Sequence, residues 1–366
     1  MRKFRTNTKM IRKALAVVLT AAIILPLFMF TACDSRTELR VAIWDDYLDP
    51  DVIAMFEAEF PHIKIREIEM IDNESLHTLM SGEGVRYDLI FPSDYMVERM
   101  AAENMLAQID WSRVPNLSNV GERFTHLEYD PQNLYSVPYK WGTFGILYNP
   151  VMLADLGFGD DEVVDSWDIL WDTRFEGQIY MYEIARESFI PALQRLGFSA
   201  NTTNTAELEA ARDSLIVQAD LVQTHVGTDG IDKMVGEEGA LALIYNGYAF
   251  WAKDENPNLE FALPKEGGML WYDCIAIPAN GQNKAYAEEF INFLLRPDVA
   301  AMNSEYSYYS TPNMAALELM DEEWQEDPVY WPPEEDIKDA EVLRHLGTEV
   351  MQRIETMWTQ ILVSFG

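Results

Sequence analysis

The segment Gly267-Gly268-Met269-Leu270-Trp271-Tyr272-Asp273-Cys274-Ile275-Ala276-Ile277-Pro278 is the part of the chain around which the fold is organised. Its second half is short and nearly apolar, which is typical of a buried strand. Trp271 and Asp273 stand two positions apart, so a strand directs both side chains to the same face. An aromatic ring attracts an organic cation, and a carboxylate accepts short hydrogen bonds from its N–H groups. One such pair is more often structural, so its meaning depends on the rest of the chain.

Segments typical of strands and helices alternate in the part of the chain that follows the N-terminus. Residues 39–44, 62–70 and 87–91 have strand patterns, and helical spacing follows each of them. This alternation predicts an α/β lobe with a largely parallel sheet, whose ligand site lies at the carboxyl ends of the strands. Trp44-Asp45-Asp46-Tyr47 follows the first strand and Ser93-Asp94-Tyr95 follows the third. We therefore expect both clusters at one rim.

A long aromatic run at residues 135–149 predicts a strand that crosses to a second lobe. Residues 306–313 are predicted to form a loop, and residues 339–365 are predicted to be helical. The pattern predicts an α/β fold class with two lobes and strands that cross between them. Lobe 1 comprises residues 33–142 and 271–317, and lobe 2 comprises residues 143–270 and 318–366.

The N-terminal segment has the pattern of an export signal. The first thirteen residues carry six Lys and Arg and no acid, and residues 14–30 carry no charge. The run ends in Phe30-Thr31-Ala32-Cys33, which resembles a bacterial lipoprotein cleavage site, although Leu is more usual than Phe30. We expect residues 1–32 to be removed and Cys33 to be lipidated, anchoring the exported protein to the outer face of the cell membrane or leaving it in the periplasm. An uncleaved anchor and plain secretion are alternatives.

The charge of the remaining chain excludes some partners. Without residues 1–32, 21 Lys and Arg stand against 61 Asp and Glu, a formal charge of −40. Nucleic acid and anionic substrates are poor partners for such a surface. With Cys33 lipidated, Cys274 is the only thiol left, so no intramolecular disulfide is expected.

Motifs of metal and nucleophilic catalysis are absent from the sequence. No His-Glu-x-x-His, Walker A or Gly-x-Ser-x-Gly sequence occurs, and the five histidines lack metal-ligand spacing. We expect no metal, no cofactor and no enzymatic activity. A secreted glycosidase is one alternative, since it also places two carboxylates near aromatic rings. The second is a binding protein for another organic cation, such as a cationic amino acid or a choline-like amine, or a polyamine sensor without transport.

The chain resembles the spermidine/putrescine-binding proteins of bacterial ABC polyamine importers, from about Leu39 to the final helix. The ordered matches fall at residues 43–47, 87–93, 138–142, 185–187, 195–197, 264–268, 271–273, 277–280, 292–300 and 311–313. The resemblance implies the α/β fold of the periplasmic-binding-protein type (type II), with two lobes, crossing hinge strands and an interlobe cleft. It implies a monomer whose lobes close over a linear polyamine without catalysis. It also implies delivery of the ligand to a membrane permease that is driven by a separate ATPase.

The resemblance also implies which residues line the cleft. They would be Trp44, Asp46, Tyr47, Ser93, Tyr95, Glu187, Tyr245, Trp271, Asp273 and Tyr309. Asp46, Glu187 and Asp273 would contact the protonated nitrogens. The rings of Trp44, Tyr47, Tyr245 and Trp271 would line the methylene segments. The hydroxyls of Ser93, Tyr95 and Tyr309 would bind an amine at one end of the ligand.

Two positions depart from the spermidine-binding pattern. Ile184 stands where those proteins often carry Asp, and Leu343 stands where they carry Gln. Loss of a carboxylate and an amide removes partners for an ammonium group, and an unpaired buried ammonium is costly. We therefore expect a shorter ligand, or one held by fewer end contacts.

Overall fold

The computed structural model describes residues 36–82, 84 and 86–365. The predicted signal segment and Cys33 lie outside these residues. Among the helices of the described part, none combines the length and the apolarity that a bilayer crossing requires.

The described residues form one mixed sheet with helices around it. The strands are β1 (Thr37–Ile43), β2 (Ile63–Glu69), β3 (Leu89–Ile90), β4 (Leu106–Ala107), β5 (Ser136–Tyr148), β6 (Ile179–Tyr182), β7 (Val222–Val226), β8 (Leu241–Tyr245), β9 (Glu260–Ala262), β10 (Met269–Pro278) and β11 (Glu341–Val342). The helices are α1 (Pro50–Glu59), α2 (Asn73–Ser81), α3 (Asp94–Ala102), α4 (Pro150–Asp155), α5 (Ala185–Arg195), α6 (Thr205–Gln218), α7 (Asp229–Val235), α8 (Asn246–Glu255), α9 (Lys284–Leu294), α10 (Pro297–Ser307), α11 (Met314–Leu317), α12 (Glu322–Glu326), α13 (Glu334–Ile337) and α14 (Thr348–Ser364). Short 3-10 turns lie at Trp111–Arg113, Pro115–Asn119, Glu122–Phe124, Trp167–Trp171 and Thr173–Phe175.

The sheet has two halves joined by two long strands. Its main order is β2-β1-β3-β10-β5-β8-β6-β7. β1 is parallel to β2 and β3 in one half, and β6 is parallel to β7 and β8 in the other. β5 and β10 run antiparallel between the halves, from the pair Ser136 and Ala276 to the pair Phe144 and Met269. The predicted α/β class and crossing strands are confirmed.

β5 and β10 are the longest strands of the described sheet and are buried along almost their whole length. Twelve of the thirteen residues of β5 are buried, and only Leu270 of β10 is partly exposed. Strands covered on both faces have continuous apolar runs, which explains the composition of both segments. The boundary predicted at residues 142 and 143 stays a prediction. The second predicted boundary lies between residues 270 and 271. Gly142 pairs with Trp271, so both predicted boundaries lie at the same position along the two crossing strands.

Two sequence-based predictions about local structure differ from the structure. The predicted loop at residues 306–313 begins later, because α10 continues to Ser307 and ends where Tyr308 adopts a left-handed φ of 59°. The predicted helix at residues 339–365 begins only at Thr348, after Gly347 with a φ of 81°. Before it, β11 pairs with the first residues of β10. This pairing is a tertiary contact that the local sequence does not show.

Candidate ligand-binding site

The site is built around the carboxylate of Asp273. The Tyr47 hydroxyl donates to its Oδ2 at 2.7 Å, and the Ser93 hydroxyl donates to its Oδ1 at 2.6 Å. Asn73 fixes Ser93 in turn, since its Nδ2 donates to the Ser93 hydroxyl at 2.9 Å and its Oδ1 accepts the Ser93 backbone N–H at 3.0 Å. Asp273 is buried, with 6% of its surface exposed. Each carboxylate oxygen therefore has a protein donor.

The fold brings these residues together through strand ends. Tyr47 follows β1 and Ser93 follows β3, and these two strands are neighbours in the sheet. Ser93 forms a single antiparallel bridge with Asp273, where the register of β10 shifts between Asp273 and Cys274. Ser93 also stands at the cap position of α3, yet its hydroxyl does not cap the helix. The hydroxyl is used by Asp273 instead, and the predicted common rim for both clusters is confirmed.

Asp273 has no cationic partner within ion-pair distance among the described residues. Lys140 is its register partner on β5, but the Lys140 Nζ donates to the Asn303 carbonyl at 2.8 Å and to the Ser304 hydroxyl at 3.2 Å. Burial therefore dominates the titration of Asp273 and raises its pKa to about 6, although the bonds from Ser93 and Tyr47 act against this rise. An external cation close to the carboxylate would remove much of this electrostatic penalty.

Aromatic rings extend from Asp273 towards the second half of the sheet. The Tyr309 ring lies 5.6 Å from the Tyr47 ring and 5.1 Å from the Trp271 ring, measured between centroids. The Trp271 ring lies 5.8 Å from the Tyr245 ring in an edge-to-face arrangement. Trp271 is fixed by its Nε1, which donates to the Thr143 carbonyl at 3.3 Å. These four rings form a continuous aromatic wall.

A second buried carboxylate ends the aromatic wall. Glu187 lies in the first turn of α5, and its Oε1 accepts the Tyr245 hydroxyl at 3.1 Å. Its Oε2 is buried and has no hydrogen-bond partner among the described residues. Burial raises the pKa of Glu187 to about 7, against the opposing effect of the Tyr245 hydrogen bond. Two acids that lack bonded cations thus stand at opposite ends of one wall.

Three of the residues predicted for the site form neither a hydrogen bond nor a ring contact with this wall. The Tyr95 hydroxyl donates to Glu74 at 3.2 Å. Asp46 is exposed, and its carboxylate accepts the Tyr306 hydroxyl at 3.3 Å. Trp44 is partly buried, and its Nε1 has no partner in the described part of the chain. The structure therefore brings seven of the ten predicted residues into one connected cluster, namely Tyr47, Ser93, Glu187, Tyr245, Trp271, Asp273 and Tyr309.

The structure adds residues that the sequence did not indicate for the site. The Tyr248 ring lies 5.5 Å from the Tyr309 ring, and the Tyr182 ring lies 5.4 Å from the Tyr245 ring. Tyr248 lies close to the carboxyl end of β8, and Tyr182 lies at the carboxyl end of β6. This position is the sequence signal from which both residues could have been predicted for the site. Asn73 begins a helix and carried no comparable signal.

A cavity of about 560 Å³ adjoins the Glu187 end of the site. Tyr95, Glu74, Arg186 and Leu343 are part of its lining. Leu343, one of the two positions that depart from the spermidine-binding pattern, is buried, whereas Ile184 is 43% exposed. Ile184 precedes α5, three positions before Glu187, and Leu343 lines the cavity together with Arg186, so both of these positions carry apolar groups. No group of three or more His, Cys, Asp or Glu in the described residues could hold a metal ion.

The arrangement suits an organic cation. Two carboxylates that lack bonded cations can each accept N–H groups, and the rings between them can face ammonium groups and cover methylene segments. A ligand with two or more protonated nitrogens separated by a flexible chain satisfies both ends at once.

Comparisons with known proteins show the family to which the chain belongs. A family profile described as "Bacterial extracellular solute-binding protein" matches residues 51–330. The chain is 36% identical to the spermidine/putrescine-binding periplasmic protein of Escherichia coli over 315 residues, which cover 86% of this chain and 88% of that protein. It is 29% identical to the putrescine-binding periplasmic protein PotF of Escherichia coli, over 94% of this chain and 96% of that protein.

Solved structures show the same fold. The crystal structure of the spermidine/putrescine ABC transporter substrate-binding protein PotD from Streptococcus pneumoniae superimposes with a TM-score of 0.78 at 32% identity, covering 90% of this chain and 100% of that one. The two-lobed fold predicted from the sequence is thus confirmed. The chain belongs to the bacterial extracellular solute-binding proteins, a family of substrate-binding transport proteins.

Proposed function

We propose that this protein captures a linear polyamine, spermidine or putrescine, outside the membrane and delivers it to an ABC permease that is driven by a separate ATPase. The named relatives support this ligand class, since they bind spermidine and putrescine according to their names. The observation that carries the proposal is the pair Asp273 and Glu187, two buried carboxylates that lack bonded cations and are joined by an aromatic wall.

Each cluster residue has a role in this proposal that follows from its contacts. Asp273 and Glu187 accept N–H groups from protonated nitrogens. Tyr47, Tyr245, Trp271 and Tyr309 cover the methylene segments with their rings. Ser93 holds the Asp273 carboxylate in place through its 2.6 Å hydrogen bond.

Three further predicted residues belong to the proposal without belonging to the connected cluster. Asp46 is an exposed acid, and it lies close enough to Tyr248 to raise the pKa of that phenol together with burial and Asp273. Trp44 and Tyr95 each follow a strand that ends at the same rim. We propose that these three residues approach the ligand once the lobes close around it.

Binding proceeds by lobe closure without bond chemistry. β5 and β10 are the strands that cross between the halves of the sheet, so rotation about them would change the distance of α5 and α8 from the ends of β1 and β3. A cation between the halves draws both buried acids towards it. The closed form is the one that would dock on the permease.

The ligand is proposed to be shorter than spermidine, or held by fewer contacts at one end. Ile184 and Leu343 offer no hydrogen bond beside Glu187. A third ammonium at this end would therefore lack two partners. Calorimetry with putrescine and spermidine compares them directly, and a strong preference for spermidine would contradict this part of the proposal.

Isothermal titration calorimetry of residues 34–366 tests the proposed function. We expect saturable binding of putrescine or spermidine, and no binding of an uncharged diol of similar length. Choline and arginine test the alternative that another organic cation is the ligand. Chromogenic glycosides test the glycosidase alternative, because a binding protein gives no turnover with them.

We also propose that Cys33 is lipidated and holds a monomeric protein at the outer face of the membrane. The sequence around Cys33 supports this, although the residue lies outside the described part of the structure. Cys33→Ala should move the protein from the membrane fraction to the soluble exported fraction. Membrane retention of that variant would support an uncleaved anchor instead.

A further inference from the structure

The first turn of α8, Asn246-Gly247-Tyr248, packs directly against Tyr309. An ideal Cβ placed on Gly247 would lie 2.2 Å from two carbons of the Tyr309 ring. Carbon atoms in favourable contact are about 3.5–4.0 Å apart, so no side chain fits here while the ring keeps its place. Gly247 lies within a helix and outside the left-handed region. Glycine is needed at this position because of the close approach of the ring.

Tyr309 has little freedom to move away. Its ring lies between the rings of Tyr47, Trp271 and Tyr248, at centroid distances of 5.6, 5.1 and 5.5 Å. Only 5% of its surface is exposed. Buried rings in such surroundings are held by close packing on all sides. A methyl group on Gly247 would therefore push the Tyr309 ring into the site or separate the two surfaces.

Asn246 fixes the same turn to the crossing strand. Its Oδ1 accepts the Thr143 backbone N–H at 3.0 Å, and its Nδ2 donates to the Val329 carbonyl at 2.8 Å. A Cβ on Gly142 would lie 2.0 Å from the Asn246 Oδ1 and 2.7 Å from Cζ2 of Trp271. The turn is thus attached to β5 at Thr143, next to Gly142, which lies opposite Trp271.

The contact between Gly247 and Tyr309 joins elements of both halves of the fold. α8 follows β8 and packs against α7 and β5. Tyr309 follows α10, which packs against α1 and receives the Lys140 ammonium at the Asn303 carbonyl. The two surfaces are in contact in this structure, so the contact belongs to an arrangement in which the halves approach each other.

We propose that Asn246-Gly247-Tyr248 is a positioning element of the ligand site, and that Gly247 allows Tyr309 to settle against Trp271 when the lobes close. The inference rests on the proposed polyamine-binding function. Gly247 itself touches no ligand in this mechanism. Its absent side chain determines how far closure can proceed, and therefore how completely the aromatic wall covers the methylene segments.

Gly247→Ala is the central test, with Gly82→Ala as the matched control. A Cβ on Gly82 would make only ordinary contacts, at 3.5 and 3.8 Å, and this residue ends α2 with a φ of −83°. We expect Gly247→Ala to weaken spermidine or putrescine binding at least tenfold in calorimetry and Gly82→Ala to leave it unchanged. Small-angle scattering should show a smaller ligand-induced decrease in the radius of gyration for Gly247→Ala than for the wild type. A purely local structural role would leave that compaction unchanged.

Tyr309→Ala completes a double-mutant cycle. Once the ring is removed, adding Gly247→Ala should weaken binding less than twofold further, because the two changes act on one contact. If Gly247→Ala alone lowers the melting temperature without ligand, it should cause no further decrease in the Tyr309→Ala background, and a further decrease would contradict the contact as the cause. If Gly247→Ala binds the amine as tightly as the wild type does, the positioning role is overturned and the proposed function is not. A wild type that binds neither amine would overturn the proposed function and this inference together.

Discussion

The Tyr47 hydroxyl and the Asp273 carboxylate meet at 2.7 Å across 226 positions of the chain. This hydrogen bond joins the end of β1 to β10 and fixes the acid on which the proposed site depends. Ser93 supplies the second donor at 2.6 Å. No lysine, arginine or histidine of the described residues forms an ion pair with this acid. The carboxylate is thus oriented in advance for a cation that the protein does not supply.

Asp273→Asn should weaken polyamine binding well over tenfold. A hydrogen bond to a charged group contributes about 1.5–3 kcal/mol, and the variant replaces the charge by a neutral amide. Calorimetry at one pH measures the change. Asp155→Asn, which alters an exposed carboxylate on α4, is the control and should bind like the wild type. Equal affinity of both variants would place the site elsewhere.

The same substitution should stabilise the ligand-free protein. The folded-state pKa of Asp273 is raised from the ordinary value of about 4 to about 6, so the free energy of unfolding decreases as the pH rises from about 4 to about 6. Asn removes the charge while keeping the shape. At pH 8 without ligand, we expect the melting temperature to increase by about 2 °C or more, since each pKa unit corresponds to about 1.4 kcal/mol. Scanning calorimetry at pH 4 provides the comparison, because the melting temperatures of the wild type and the variant should differ less at that pH.

Polyamine affinity should decrease as the pH is lowered. Burial raises the pKa of Glu187 to about 7 and that of Asp273 to about 6, and a cation binds the ionised forms. Protons therefore compete with the ligand as the pH falls through both values, while alkylammonium groups stay charged, as Lys does up to about pH 10. Between pH 8 and pH 5, we expect affinity to fall at least about tenfold. In Glu187→Gln, the decrease should start about one pH unit lower. A pH-independent affinity would contradict the involvement of both acids.

The Trp271 ring should contribute to polyamine affinity through a cation–π contact at its face as well as through the apolar area that it buries. Trp271→Phe replaces the indole ring by a phenyl ring, which attracts cations less strongly, and removes the hydrogen bond that Nε1 donates to the Thr143 carbonyl. Cation–π contacts are worth about 0.5–2 kcal/mol, so we expect affinity to fall roughly threefold to tenfold. Trp171→Phe is the control, since the Trp171 Nε1 donates to the Ser214 carbonyl instead, outside the site. Titrations of both variants with the same amine provide the comparison.

The sequence predicted the parts of the site that follow from strand geometry. Tyr47 and Ser93 come after neighbouring strands of an α/β lobe, and the carboxyl ends of such strands share a rim. The spacing of Trp271 and Asp273 likewise places both on one face of β10. These relations depend on local periodicity, which a sequence displays directly.

Other parts of the site depend on tertiary contacts that periodicity does not encode. Asn73 acts on Ser93 from the start of a different helix, and Gly247 is explained only by the ring that lies against it. β11 forms because it meets the first residues of β10. The separation of Asp46 from the cluster also has a local backbone cause, since its left-handed φ of 54° turns the chain between Trp44 and Tyr47.

Ligand length should be determined beside Glu187, where Ile184 and Leu343 offer no polar group. Ile184 is 43% exposed, so Ile184→Asp adds a carboxylate without burying it. A third ammonium near this end would gain a charged partner, and we expect the affinity for spermidine relative to putrescine to rise several-fold. Val217→Asp makes the same change at a residue that is 71% exposed on α6, and it should leave the ratio unchanged. The two amines titrated against each variant measure the ratio. If Ile184→Asp changes both affinities equally, the charge acts through the general field of the protein and not through an amine bound beside Glu187.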